Sequence, residues 1–206
     1  MTTVVFDFAG VLFCWHPPTM LMRVLPQRAP DLAAGAHLAQ AIFQGYGGDW
    51  ADFDRGTIEV EPLVARIVAR TGLAPTEVRA VVDEVPHELQ PMPDTVALLR
   101  RLHALGQRLY FLSNMPAPYA DHLQRSHRFL ELFADGLYSA RERLIKPESA
   151  IFDLAAYRFG RPAGELLFFD DVPANVAAAR AAGWQARLFI DAEGCASDLR
   201  AAGLYA

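Results

Sequence analysis

Five short apolar segments, each followed by a polar residue, constrain the fold of this chain more than any other feature. They occupy residues 4–6, 109–112, 137–138, 166–169 and 188–190, and the residues that follow them are Asp7, Ser113, Ser139, Asp170 and Asp191. Unbroken apolar runs of this length are typical of strands buried on both faces of a parallel sheet, with crossover helices in the intervals. The sequence therefore predicts an α/β fold with a doubly wound, mainly parallel sheet of five strands.

Prolines and glycines mark the helices between these segments. Helical patterns begin at Pro93, Pro147 and Pro173, and glycines follow them at positions 106, 160 and 183. Proline is favoured in the first turn of a helix and glycine just after its end. We therefore expect helices over residues 95–105, 147–159 and 174–182.

The interval between the first two strands is far longer than one crossover helix requires. Residues 18–25, 31–44, 58–71 and 75–85 show helical patterns, whereas 45–49 is typical of a loop. We predict an all-helical cap over residues 16–90, inserted into an α/β core that comprises residues 1–15 and 91–206.

Composition excludes several classes of function. The 206 residues carry a formal net charge of −5, which disfavours nucleic acid or an anionic membrane as the main partner. Cys14 and Cys195 form neither a disulfide framework nor a zinc motif, and the start of the sequence lacks a signal-peptide pattern. We expect a cytoplasmic protein that binds neither nucleic acid nor membrane. The sequence leaves its oligomeric state open.

In a parallel sheet, the polar residues that follow the strands meet at one edge. Asp7, Ser113 and the pair Asp170 and Asp171 belong to this set, and Lys146 joins it at the start of the following helix. Carboxylates can hold Mg²⁺, and a further carboxylate can attack phosphorus to form an aspartyl-phosphate. A hydroxyl and an ammonium can bind phosphoryl oxygens as negative charge develops on them.

Four ordered motifs resemble those of the haloacid dehalogenase-like hydrolases. They read DFAGVL at 7–12, LSN at 112–114, KP at 146–147 and FFDD at 168–171. Their spacing is similar to that of the branch with a helical cap between the first and second motifs, and FDRGTI at 53–58 is similar to a cap phrase of that branch. The resemblance covers essentially the whole chain and implies a Mg²⁺-dependent hydrolase of small phosphorylated molecules.

The resemblance also implies a metal site and a nucleophile. Asp7 is expected to be the nucleophile and a Mg²⁺ ligand, and the backbone carbonyl of Ala9 is expected to be a second ligand. Asp170 is expected to bind the metal directly or through water, with Asp171 beside it.

The remaining motif residues are expected to contact the phosphoryl group. Ser113 would hydrogen-bond it, and Lys146 would neutralise both the nucleophile and the transferring group. Asn114 would either shape its loop or touch the substrate. Trp50 and Arg55 are candidates for the cap side of the pocket.

Ala9 departs from the family pattern. The family's phosphatases usually carry a second aspartate there, a general acid and then base of the kind typically worth ~10²–10⁴-fold in rate. His16 lies where the chain passes into the cap, and it is a candidate substitute because imidazole titrates near neutral pH. The alternative is a hinge histidine packed beside Trp15.

Three subgroups of the family lack that aspartate. The phosphonate-cleaving enzymes need a lysine in the cap, and the single lysine of this chain, Lys146, lies outside it. The dehalogenases carry tyrosine at the Ala9 position and lack the paired aspartates of the fourth motif. The sugar-1-phosphate phosphatases have glycine or alanine and keep the other motifs, so a phosphatase of a sugar phosphate-like substrate fits best. The alternatives are a weakly active or non-catalytic relative that binds a phosphorylated ligand or a protein partner, and, as a weaker option, a dehalogenase.

Overall fold

The predicted strands form one parallel sheet. A computed structural model describes residues 2–205, so positions 1 and 206 of the predicted core lie outside the described residues. The strands are β1 (Thr3–Phe6), β2 (Leu109–Ser113), β3 (Asp135–Tyr138), β4 (Leu166–Asp170) and β5 (Gln185–Leu188). They pair in parallel in the order β3-β2-β1-β4-β5. The expected doubly wound α/β architecture is confirmed.

Helices fill the chain between β1 and β2. They are α1 (Pro17–Val24), α2 (Leu32–Phe43), α3 (Gly48–Asp54), α4 (Val60–Thr71), α5 (Pro75–Glu88) and α6 (Pro93–Ala104). We refer to residues 17–88, which contain α1–α5, as the helical segment. The loop expected over 45–49 is shorter than predicted, because α3 begins at Gly48. This helix of 7 residues buries Trp50 and Phe53 and is too short for its periodicity to stand out in the sequence.

The remaining helices follow the later strands. They are α7 (Ala117–Ser126), α8 (Ser139–Glu142), α9 (Ser149–Phe159), α10 (Pro173–Ala181) and α11 (Ala192–Ala201). The helix expected from Pro147 begins two residues later, at Ser149. Short 3-10 turns lie at 44–46, 128–132 and 163–165.

Alternate residues of each strand face opposite sides of the sheet, as the two-residue period of a strand requires. Val4 and Phe6 join the larger apolar core, to which α6, α11 and the helical segment contribute. Val5 joins a second core with residues of α9 and α10. Both faces are covered, which explains why the central strands are continuously apolar.

The fifth strand lies earlier in the chain than predicted. We expected it at 188–190, but β5 ends at Leu188, and Ile190 is 74% exposed. As an edge strand, β5 pairs only with β4, and of its four residues only Ala186 is buried, so it carries no apolar run. Asp191, expected to close the strand, instead caps α11 by accepting a hydrogen bond from the backbone N–H of Gly194 at 2.8 Å.

Across residues 2–205, every helix is too short or too polar to cross a membrane.

Candidate active site

The first motif places Asp7 at the carboxyl end of the sheet. The backbone N–H of Asp7 donates to Phe169 O at 2.9 Å, which joins the end of β1 to that of β4. The chain then turns tightly, and Gly10 has a φ of +77°. A Cβ at Gly10 would lie 2.2 Å from Asp171 Oδ2, so only glycine permits this approach. The turn therefore brings the first and fourth motifs into contact.

Lys146 lies between two carboxylates. Its ammonium Nζ is 2.8 Å from Asp7 Oδ1 and 2.6 Å from Asp170 Oδ2, and the residue is 3% exposed. The side-chain amide of Asn114 fixes the Lys146 backbone: Nδ2 donates to Lys146 O at 2.9 Å, and Oδ1 accepts from Lys146 N at 2.8 Å. Of the two roles expected for Asn114, these contacts favour shaping the loop.

Asp170 is fully buried and accepts four hydrogen bonds. Its Oδ1 accepts from the backbone N–H of Val172 at 2.8 Å and from Asn175 Nδ2 at 3.0 Å. Its Oδ2 accepts from Asn175 Nδ2 at 3.1 Å and from Lys146 Nζ at 2.6 Å. Asn175, in the first turn of α10, thus holds Asp170 in one orientation.

The donor set fits a hard divalent cation. Asp7, Asp170 and Asp171 each offer a carboxylate oxygen, and these oxygens lie within 4.8 Å of one another. Oxygen ligands of this kind are those Mg²⁺ prefers. Three carboxylates around one ammonium also leave an excess of negative charge, which a bound cation would neutralise.

The pKa shifts reflect this crowding. Burial raises the pKa of Asp7 well above its ordinary value; Lys146 opposes the shift, and Asp170 and Asp171 reinforce it. Burial and the charge of Asp170 raise the pKa of Asp171 to about 6. Burial disfavours the Lys146 ammonium, but attraction to Asp170 and Asp7 outweighs it and raises the pKa of Lys146.

The charged groups open into a cavity of about 310 Å³ between the sheet edge and the helical segment. Its polar end contains Asp7, Lys146 and Asp171. The rest of the wall is mainly aromatic or apolar and includes Trp15, Trp50, Val85, Leu89, Met115 and Tyr119. The cavity therefore combines an ionic end with an apolar chamber.

Several residues singled out from the sequence meet in this cavity. Asp7, Ala9, Asn114, Lys146 and Asp171 all line it. Asp170 lies directly behind them, in contact with Lys146. The topology thus brings together residues separated by more than a hundred positions in the chain.

Three other candidates lie elsewhere. Ser113 is fully buried outside the wall, and its hydroxyl donates to Asn114 O at 3.5 Å, so its contact with a phosphoryl group stays a prediction. His16 is exposed at the start of α1, with Nδ1 2.5 Å from Thr19 Oγ1, and does not belong to the wall. Of the two cap-side candidates, Trp50 lines the cavity, whereas Arg55 pairs with Glu148 on the surface.

Asp54 also lines the cavity, and the sequence motifs predict no role for it. It is the last residue of α3 and is 6% exposed. Burial raises its pKa to about 8, against the opposing charge of Lys146. The one sequence signal that pointed to it is the FDRGTI phrase at 53–58, whose second residue is Asp54.

Comparison with known sequences identifies a protein family and a relative that this chain resembles. The family profile described as haloacid dehalogenase-like hydrolase matches residues 1–183. The sesquiterpene phosphatase astK of Aspergillus oryzae is 29% identical over 180 residues, which cover 87% of this chain and 85% of that protein.

Solved structures share the fold at lower identity. The HAD family enzyme BT-2542 of Bacteroides thetaiotaomicron, crystallised with magnesium and inorganic phosphate, superposes with a TM-score of 0.70. It is 19% identical, with 91% of this chain and 93% of that chain covered. The L-2-haloacid dehalogenase RSc1362 also gives a TM-score of 0.70, at 22% identity, with 90% and 85% covered. At these identities the superpositions support the fold.

Proposed function

The chain belongs to the haloacid dehalogenase-like hydrolases, and on that premise we propose that it is a Mg²⁺-dependent phosphatase that forms an aspartyl-phosphate on Asp7. The observation that carries this proposal is the Lys146 ammonium, 2.8 Å from Asp7 Oδ1 and 2.6 Å from Asp170 Oδ2, beside Asp171 in one cavity. A nucleophile, a buried positive charge and a set of oxygen ligands for a cation are the parts that phosphoryl transfer requires.

Each residue has a defined part in this proposal. An Asp7 carboxylate oxygen attacks phosphorus and the bond to the leaving oxygen breaks; water then cleaves the phosphoryl group from Asp7. The Lys146 ammonium neutralises the charge on Asp7 and on the transferring oxygens, while Asn114 and Asn175 hold Lys146 and Asp170 in place.

The candidates for holding Mg²⁺ are the grouped carboxylates of Asp7, Asp170 and Asp171, together with the backbone carbonyl of Ala9, a residue that lines the same cavity. When bound, the cation supplies positive charge that stabilises the phosphoryl oxygens.

The cavity wall favours a phosphate ester with an apolar organic group. The sequence motifs predict a sugar-like substrate, whose hydroxyls would need several polar partners. The chamber instead presents Trp15, Trp50, Met115 and other apolar side chains. The relative astK is a sesquiterpene phosphatase, and an apolar group of that general kind suits this wall. We propose that the helical segment acts as the cap and supplies much of this specificity.

The proposal is tested by assaying p-nitrophenyl phosphate and a panel of alkyl phosphates with Mg²⁺ and with EDTA. We expect turnover that EDTA abolishes and that Asp7→Asn lowers by about 10⁴-fold or more, a typical effect of losing a covalent nucleophile. Asp94→Asn, at an exposed position of α6, is the matched control and should keep full activity.

Two results would contradict the proposal. Binding of phosphate esters without turnover would favour a binding protein. Release of halide from 2-haloacids, with every phosphate left intact, would favour a dehalogenase.

A further inference from the structure

Asp54 is a buried carboxyl that faces the reaction cavity from the helical segment. It lines the cavity together with Asp7, Ala9 and Lys146 and is 6% exposed. Within the described part of the chain, no hydrogen bond or ion pair reaches its carboxyl oxygens. Burial of a carboxyl that lacks a hydrogen-bond partner disfavours its charged form.

Four hydrogen bonds fix the backbone that carries Asp54. Ser139 Oγ donates to the backbone carbonyl of Asp54 at 2.5 Å, and the same hydroxyl accepts from Met115 N at 2.8 Å. The next residue, Arg55, binds Glu148 through two hydrogen bonds, at 2.7 and 2.5 Å. The end of α3 is thus attached to Ser139, the first residue of α8, which also binds the loop after β2, and to Glu148, two positions after Lys146.

Gly56 completes this attachment. Its φ is +73°, and a Cβ there would lie 2.5 Å from the carbonyl oxygen of Ala140. The backbone after Asp54 therefore packs directly on α8. Such rigid support is what a group with a defined position toward a substrate needs.

Asp54 also has the appropriate protonation state. Burial raises its pKa to about 8, and the nearby Lys146 ammonium and Tyr119 phenol are the titratable groups that interact with it. The carboxyl therefore carries its proton at neutral pH. After the proton leaves, Lys146 stabilises the carboxylate that remains.

Among the described residues, the other titratable groups on the wall have contacts or proposed roles of their own. The Tyr119 hydroxyl donates to Val82 O at 2.8 Å, and burial raises the pKa of Tyr119 well above its ordinary value. Asn114 and Lys146 are occupied by the bonds described above, and Asp171 belongs to the candidate metal ligands. His16, the substitute considered from the sequence, lies outside the wall.

Resting on the proposed function, we propose that Asp54 is the catalytic acid–base group that replaces the aspartate missing at Ala9. In the first step Asp7 bonds to phosphorus, the bond to the leaving oxygen breaks, and the Asp54 proton passes to that oxygen, which leaves as an alcohol. In the second step water attacks phosphorus and gives one proton to the Asp54 carboxylate. The bond to Asp7 breaks, and inorganic phosphate and the original carboxyl are restored.

The Asp54→Asn variant tests this proposal when its activity is compared on two substrates whose leaving groups differ in their need for a proton. p-Nitrophenolate departs without protonation, whereas an alkoxide requires a proton. The ratio kcat/KM, which reports the step that expels the leaving group, should fall by about 10²-fold or more on n-hexyl phosphate but by less than about 10-fold on p-nitrophenyl phosphate. Asp52→Asn is the matched control on the same helix, because the Asp52 side chain is 45% exposed and pairs with Arg66.

A second variant separates catalysis from folding. Asp54→Asn should lower the ratio of kcat/KM on n-hexyl phosphate to kcat/KM on p-nitrophenyl phosphate. Adding Ala9→Asp to that variant should raise this ratio again by at least about tenfold. Equal losses on the two substrates in Asp54→Asn, or no loss on either, would overturn the inference while leaving the proposed phosphatase intact. A wild-type protein that turns over neither ester would overturn the proposed function, and the inference with it.

Discussion

Lys146 is the only lysine among the 19 basic residues of the chain, and its ammonium sits between Asp7 and Asp170. A compact ammonium can approach two carboxylates within a buried space, whereas a planar guanidinium needs more room and a different geometry. The Phe168 ring, whose centroid is 5.3 Å from Lys146 Nζ, lies beside it. Position 146 therefore requires a cation that is compact as well as positively charged.

Asp54 should make stability depend on pH in a specific way. Its pKa is about 8 in the folded protein against an ordinary value of 3.8, so unfolding releases a proton between these two pH values. Stability is therefore retained at low pH and lost as pH rises through this interval, by up to about 1.4 kcal/mol per pH unit. Asp54→Asn removes this titration, so its free energy of unfolding relative to wild type should increase from pH 4 to pH 8.

Urea denaturation at several pH values measures this difference. Lys146 and Tyr119, which interact with Asp54, are present in both proteins, so their own titration largely cancels. A stability difference that stays constant with pH would show that the Asp54 carboxyl is ionised in the folded protein.

At the scale of elements, the link between α3 and α8 connects the helical segment to the sheet. Ser139 joins this link through its hydroxyl, and Arg55 joins it through Glu148. The ion pair is partly exposed, with side-chain exposures of 25% and 43%, and is worth only about 0–1 kcal/mol. The close packing of Gly56 on Ala140 is the stronger constraint.

Gly56→Ala should therefore be more damaging than the same change at Gly72. Both glycines have similar φ values, +73° and +71°, but a Cβ at Gly72 would have no neighbour within 4 Å. The left-handed backbone alone costs roughly 1–2 kcal/mol with alanine, and the clash at Gly56 should add about 1–3 kcal/mol. Urea denaturation of the two variants measures this difference.

The same pair also tests how Asp54 is positioned. Gly56→Ala should lower kcat/KM on n-hexyl phosphate more than on p-nitrophenyl phosphate, whereas Gly72→Ala should leave that ratio unchanged. If the two variants had the same free energy of unfolding and the same ratio of kcat/KM on the two substrates, the packing of Gly56 on Ala140 would have no role in positioning Asp54.

At the scale of the whole molecule, the cavity exists because the helical segment covers the carboxyl edge of the sheet. The sheet side supplies Asp7, Lys146 and Asp171, and the segment supplies Trp50, Asp54, Val85 and Leu89. Both parts supply chemistry and apolar contacts, because the segment adds Asp54 and the core adds Met115 and Tyr119, so neither part forms the site alone.

This division predicts a dependence on alkyl chain length. Each CH₂ buried in the apolar chamber is worth about 0.8 kcal/mol, or about fourfold in kcat/KM. In a series of n-alkyl phosphates, kcat/KM should rise by up to that factor for each added carbon until the cavity of about 310 Å³ is filled. Steady-state kinetics across the series, with glucose phosphates for comparison, checks this. Better turnover of the sugar phosphates would favour the polar substrate expected from the sequence.

The sequence alone predicted the sheet, most of its helices and the convergence of Asp7, Lys146, Asp170 and Asp171. These features depend on local patterns: buried parallel strands are apolar, their crossovers are helical, and residues after parallel strands meet at one edge. The edge strand β5 escaped prediction because its residues are largely not buried. The short helix α3 was not predicted because its 7 residues make too few turns to show a helical periodicity.

Only the tertiary structure decided which groups share the cavity. His16 and Asp54 are both polar residues of the predicted cap, and although the FDRGTI phrase includes Asp54, local sequence does not show which of the two side chains lines the cavity. Attachment of α3 to the start of α8, which also binds the loop after β2, places Asp54 at the cavity, while His16 remains exposed at the start of α1. The apolar character of the chamber likewise depends on contacts between distant segments, and local sequence patterns do not encode such contacts.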